Sequence, residues 1–111
     1  MSAPLTIAGI KACDSMKKAF ARLDAAGVAY DFMDFKKAAP TPAQVSAWLA
    51  AAGEALVNRK GTTWRQLTPE EQAASGDALV ALIVARPSLI KRPLLSDGRQ
   101  VTVGLDSPLL P

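Results

Sequence analysis

Histidine is absent from this chain of 111 residues, and cysteine occurs once, at Cys13. One thiol cannot form an internal disulfide. With no imidazole, one sulfur and no clustered carboxylates, no metal site is expected. Aromatic residues make up only 5% of the chain, so Ala, Leu and Val must fill the interior. No apolar run approaches the ~20 residues that cross a bilayer. The start, Met1-Ser2-Ala3-Pro4, lacks the basic residues and long apolar stretch of a secretory signal. These absences point to a cytoplasmic protein that is neither disulfide-stapled nor membrane-bound.

What is present supports a folded core, since half of the residues are hydrophobic. The length fits a single domain over residues 1–111. Thirteen Lys and Arg against ten Asp and Glu give a net charge of +3. That mild excess suits small anions and lacks the dense basic stripe of a direct nucleic-acid binder.

Leu5 to Ala8 reads as a short buried strand. Helical spacing of Met16, Ala19, Phe20 and Leu23 predicts a helix over 15–26, stopped by Gly27. Val28, Tyr30 and Phe32 alternate with smaller or polar residues, predicting a strand over 28–33. Strand, helix and strand within about thirty residues suggest a parallel βαβ unit. Thr41-Pro42-Ala43-Gln44 and Thr68-Pro69-Glu70-Glu71 both carry the signature of a helix N-terminal capping box. A helix from the first runs to Gly53. The second starts a short helix stopped near Gly76. Asp77 caps a further helix that Pro87 closes. Leu94-Leu95 and Gln100 to Val103 are strands, joined through the hairpin signal Asp97-Gly98.

The stretch Ile10-Lys11-Ala12-Cys13-Asp14-Ser15-Met16-Lys17-Lys18 carries the chemistry. It places a thiol where a strand turns into a helix. The first helical N–H groups and the positive end of the helix dipole lie there, and both favour a thiolate. Lys11 and Lys17 add positive charge nearby. A small buried hydrophobe is the other reading of a free cysteine, and position favours the functional one. Met16 stands where a C-x-x-C motif would have its second thiol, so any disulfide of Cys13 is with another molecule.

Arg59, Lys60 and Arg65 surround Gly61-Thr62-Thr63-Trp64. Spacing alone favours solvated side chains on a loop. The alternative is an anion site, because guanidinium forks bind oxyanions and carboxylates in pairs. Lys91-Arg92-Pro93 is open in the same way, as a basic turn entering a strand or as backbone groups fixed opposite the thiol. Trp48 and Trp64 read as packing residues.

Taken together, these stretches resemble the arsenate-reductase-like family, which includes ArsC, Spx and the YffB group. Gly9 to Ala19 resembles the YffB-type nucleophile loop. Asn58-Arg59-Lys60-Gly61-Thr62-Thr63-Trp64-Arg65-Gln66-Leu67 resembles that subgroup's central motif. Ile90-Lys91-Arg92-Pro93-Leu94-Leu95 resembles the family's basic-Pro-strand motif, and Val103-Gly104 the glycine ending the last strand. The resemblance implies an α/β, thioredoxin-like fold. Its small mixed four-stranded sheet, β-α-β then β-hairpin, would carry a helical insertion over about 41–87. It also implies that Cys13 is the nucleophile, that Arg92 contacts an anion and that Pro93 follows a cis bond. The family's central arginine falls at Arg59 or Lys60. Two departures stand out. Arsenate reductases of this type carry a third arginine near the last strand, where this chain reads Val103-Gly104-Leu105. YffB-type chains also continue into a C-terminal helix, so part of the sheet here is expected to be less covered.

The expected function is a thiol-dependent reductase, coupled to glutathione as co-substrate and served by glutathione or a glutaredoxin. Its substrate would be a glutathione mixed disulfide or a small oxyanion. Cys13 would attack, while Lys11, Lys17, Arg59, Lys60, Arg92 and Pro93 form the anion-binding surface. The competing expectation is a Spx-like transcriptional regulator that binds RNA polymerase without catalysis, against which the missing C-x-x-C switch argues.

Overall fold

The computed structural model describes residues 5–111. The opening Met1-Ser2-Ala3-Pro4, read above as lacking a secretory signal, lies outside the described residues. Two compact units make up the rest. One runs to Ala38 and resumes over Arg92–Pro111, and the other is Ala39–Lys91.

The first unit holds β1 (Leu5–Gly9), α1 (Asp14–Ala25), β2 (Tyr30–Asp34), β3 (Leu94–Ser96) and β4 (Val101–Val103). They build a four-stranded sheet in the order β2-β1-β3-β4. β1 and β2 are parallel, with Leu5 opposite Tyr30 and Gly9 opposite Asp34. β3 runs antiparallel to β1, with Ile7 opposite Leu95. β4 returns antiparallel to β3. This is the β-α-β then β-hairpin arrangement that the sequence predicts.

The predicted second strand begins too early. Val28 donates its N–H to Leu23 O and Gly27, at φ +70°, donates to Asp24 O. That pattern is a Schellman closure, in which residues after the helix satisfy its last carbonyls. It commits Val28 to α1, and the strand starts at Tyr30. At the front, α1 begins at Asp14, one residue before the expected start.

Ile7, Met16, Ala19, Leu23, Leu95 and Leu110 form the buried cluster that joins α1 to the sheet. Phe20, Val28, Tyr30, Phe32, Leu105 and Leu109 pack around it. The segment after β4 thus lies against this cluster without forming a helix. The Arg22 side chain fastens it, donating from Nε to Pro111 O at 2.8 Å and from Nη1 to Leu105 O at 2.9 Å. Ser107 is buried there and its hydroxyl is satisfied, meeting Thr102 Oγ1 and accepting from Leu109 N.

The second unit is helical, and α2 (Pro42–Ala52) and α5 (Gly76–Ala85) pack against each other within it. Between them lie a 3-10 turn over Gly53–Leu56, α3 (Thr62–Arg65) and α4 (Pro69–Gln72), and a second 3-10 turn covers Pro87–Leu89. Both predicted capping boxes form. Thr41 Oγ1 accepts from Gln44 N at 3.1 Å while Gln44 Oε1 accepts from Thr41 N at 2.9 Å. Thr68 and Glu71 repeat the exchange at the same two distances. Val45, Trp48, Leu56, Val57, Leu67, Val80, Ile83, Leu89 and Ile90 form this unit's buried hydrophobic core.

Three local expectations change here. The stretch read as a loop contains α3, a single turn that Gly61 caps. α4 ends at Gln72 rather than near Gly76, because Ala74 N–H turns back to Glu71 O. Asp77 is not the cap of α5. It lies in the first turn, and Ser75 holds the cap position without a side-chain bond.

Candidate functional site

Cys13 occupies the N-cap position of α1, with extended backbone at φ −84° and ψ 133°. Its carbonyl accepts from Lys17 N at 3.0 Å, so the backbone holds the helix start. Its side chain makes no capping bond. The sulfur is therefore not used in holding the helix, and Cys13 is half-buried and free of any disulfide.

Gly9 explains how the neighbouring segments approach this turn. It ends β1 with φ +155°, a conformation that side-chain-bearing residues rarely adopt. A methyl placed on it would fall 2.6 Å from Met16 Sδ and 3.3 Å from Arg92 Cγ. The strand end, the first turn of α1 and the stem of Arg92 thus converge where one β-carbon is missing. Arg92 is half-buried, and the following Pro93 is buried after a cis peptide bond. Pro93 O accepts from Gly104 N at 2.9 Å, which ties the end of β4 to the same segment. Gly104 sits at φ +87°. That conformation favours glycine.

Lys11 and Lys17 are both exposed. Lys11 borders an open groove of about 400 Å³ with Phe20, Asp24, Tyr30 and Phe32. Tyr30 donates its hydroxyl to Asp24 Oδ1 at 3.3 Å. Its phenol is held above its ordinary pKa, first by burial and then by the Asp24 charge and hydrogen bond.

In the second unit, Asn58-Arg59-Lys60-Gly61 forms a tight turn. Asn58 Oδ1 accepts from Lys60 N at 3.3 Å, and Gly61 has no room for a side chain beside Asn58. The turn is anchored by a short antiparallel zip. Val57 bridges Ile90, Asn58 N donates to Leu89 O, and Lys91 N donates to Leu56 O. Arg59, Lys60 and Lys91 then border a depression of about 240 Å³ with Ala55, Val57 and Asn58. The Arg59 guanidinium lies 5.3 Å from the centre of the Trp64 ring. A cation over an indole face is attracted by the ring's quadrupole. Trp64 is therefore a platform for Arg59 as well as a packing residue.

The expected basic residues thus fall in two groups. Arg92 and Pro93 belong to the unit of Cys13, with Lys11 and Lys17, while Arg59 and Lys60 share a depression with Lys91. Sequence reasoning placed Lys91 with Arg92. Alternation along an extended chain was the available signal that neighbours turn to different sides. No group of three or more potential metal ligands occurs among the described residues.

The ArsC family profile matches residues 8–108. The chain belongs to the ArsC family. Solved structures agree with this placement. A YFFB protein is 41% identical, with 90% of each chain covered and a TM-score of 0.84. An arsenate reductase (ArsC) related protein from Brucella melitensis is 36% identical, covering 97% of this chain and 91% of that one, with a TM-score of 0.77. A possible arsenate reductase from Streptococcus mutans is 29% identical, covering 95% and 93%, with a TM-score of 0.80. This ArsC family chain has the thioredoxin-like fold of its neighbours. Family and neighbours together support a thiol-dependent reductase. No helix among the described residues is long and apolar enough to cross a membrane.

Proposed function

We propose that this protein reduces glutathione mixed disulfides in the cytoplasm, with Cys13 as its nucleophile. The observation that carries the proposal is the Cys13 side chain at the start of α1, unspent on capping. The Cys13 thiolate attacks the glutathione sulfur of the substrate. The substrate's S–S bond breaks, its own thiolate leaves and takes a proton, and a Cys13–glutathione disulfide remains. A second glutathione thiolate attacks the glutathione sulfur of that disulfide. Glutathione disulfide departs and the Cys13 thiolate is restored. The chain has no other cysteine to resolve the intermediate, so an external thiol completes the cycle. A glutaredoxin can deliver the same electrons.

Arg92 serves as the anion contact nearest this chemistry, because its stem is fixed against Gly9, four residues before Cys13. Lys11 and Lys17 contribute charge. A compact oxyanion is the less favoured substrate. It needs several converging donors to replace its water, and Gly104 occupies the place of one.

The test is turnover of cysteine–glutathione mixed disulfide with excess glutathione, with oxidised glutathione measured over time. Wild-type protein should turn it over, and Cys13→Ser should be inactive while unfolding at a similar temperature. Equal rates for the two proteins would overturn the assignment.

A further inference from the structure

Apart from Lys11 itself, the groove beside Lys11 has no part in the exchange just described. Aromatics are scarce in this chain, yet three of its six, Phe20, Tyr30 and Phe32, gather there. Phe20 stacks on Tyr30 with centroids 5.6 Å apart and meets Phe32 edge-on at 5.0 Å. All three are only half-buried, so a wall of aromatic surface faces solvent. At about 400 Å³ the groove falls within the size of ligand sites. Its borders are charged and opposite in sign. Lys11 lies ahead of α1 and Asp24 lies in its last turn. β2, which carries Tyr30 and Phe32, pairs with β1 alone and forms one edge of the sheet.

Along the chain the order is the cation Lys11, the thiol Cys13, the aromatic wall from Phe20 and the anion Asp24. The helix rise puts Phe20 about 10 Å along the axis from Cys13, and Asp24 about 16 Å. An extended peptide covers about 3.3–3.6 Å per residue. A peptide with its cysteine sulfur at Cys13 therefore brings its third following residue level with Phe20. We infer that the groove selects glutathionylated peptides with an acidic residue next to the cysteine, an aromatic residue at the third position after it and a basic residue at the fifth. This rests on the proposed function and names its substrate class. The peptide thiolate is the leaving group of the first exchange, and the groove holds that leaving group. The electrons again come from glutathione.

The probe is acetyl-Cys-Glu-Ala-Phe-Ala-Lys-amide, compared with a version in which Ala replaces Phe and one in which Glu and Lys are exchanged. Binding is measured by calorimetry on Cys13→Ser with the probe cysteines S-methylated, which separates the groove from the chemistry. The Phe peptide should bind about tenfold more tightly than the Ala peptide, the scale of one buried aromatic ring. In a Phe32→Leu background this ratio should fall toward one. Lys11→Glu, at an exposed position, should reverse the preference between the parent and the charge-exchanged peptide, which keeps the test open if Phe32→Leu folds poorly. Parent and Ala peptides binding within twofold of each other would overturn the inference. Turnover of the glutathionylated probes is then measured on wild-type protein. Selective binding with no turnover would remove the reductase reading and leave the groove standing. Equal turnover of all three peptides without selective binding would do the reverse.

Discussion

Gly104 donates its N–H to the carbonyl of Pro93 across 2.9 Å, and does so from a backbone φ of +87°. The end of the last strand is thereby fixed to the residue that follows Arg92. A side chain at 104 would have to adopt a conformation that disfavours every L-residue except, at times, Asn and Asp.

Gly104→Ala should therefore lower stability by about 1–2 kcal/mol, measured by urea denaturation. Gly104→Arg, which places a guanidinium at the end of β4, should lose at least as much and gain no efficient arsenate reduction. A stable Gly104→Arg protein with strong arsenate reduction would show that the missing donor, and not the backbone, limits the site.

Arg92 has two separable parts, a stem against Gly9 and a guanidinium. Arg92→Met keeps most of the stem and removes the charge. It should weaken binding of glutathione disulfide by roughly 10- to 100-fold, since a charge-assisted hydrogen bond contributes about 1.5–3 kcal/mol. The melting temperature should move little. A large fall in melting temperature with unchanged affinity would mark Arg92 as structural.

Two carboxylates tie the fold to acid pH. Glu71 is held below its ordinary pKa mainly by the Thr68 N–H it accepts. Asp97 is lowered by accepting from Gln100 N and Arg99 N in the β3–β4 turn. For both, the folded pKa lies below the unfolded one. Their contribution is complete above the unfolded values near 4 and is lost as pH falls through the folded values. Unfolding free energy should drop on acidification below about pH 4.5. The drop should be shallower in Asp97→Asn, whose amide oxygen accepts without needing a charge. Parallel pH profiles for the two proteins would refute the link.

Tyr30 gives the opposite sign. It is the chain's one tyrosine, so its ultraviolet titration reads a single group. Its pKa is raised by burial and by Asp24. The folded state thus holds the proton more tightly, and this stabilisation is complete below the unfolded value of about 10 and lost at higher pH. Asp24→Asn should shift the titration to lower pH without fully restoring the ordinary value, because burial remains. No shift would show that Asp24 is not a cause.

Much of this was legible where the signals are local. The capping boxes at Thr41 and Thr68 are four-residue codes, and both form as read. The α1 face carried by Met16, Ala19 and Leu23 is periodic, and all three are buried. α3 escaped because four residues after a glycine show no periodicity. Val28 was misplaced because its alternation with Tyr30 and Phe32 is real, yet its N–H serves the helix. The alliance of Lys91 with Arg59 and Lys60 was illegible, since it depends on Val57 meeting Ile90 more than thirty residues later. Trp64 was underread because its partner Arg59 is fixed by the same turn.

The missing β-carbon of Gly9 also has an evolutionary consequence. Met16 Sδ and Arg92 Cγ both press on that one space. Changes at positions 9, 16 and 92 are thus non-additive. A larger residue at 9 needs the thioether shortened and the arginine stem moved, and still meets the strained φ of +155°. The order in which substitutions arise then decides which are open. A lineage that shortened Met16 first would relieve the tightest contact on Gly9, whereas one that altered only Arg92 would still face the thioether at 2.6 Å. Drift at the strand end and drift at position 92 are in this way a single inherited unit.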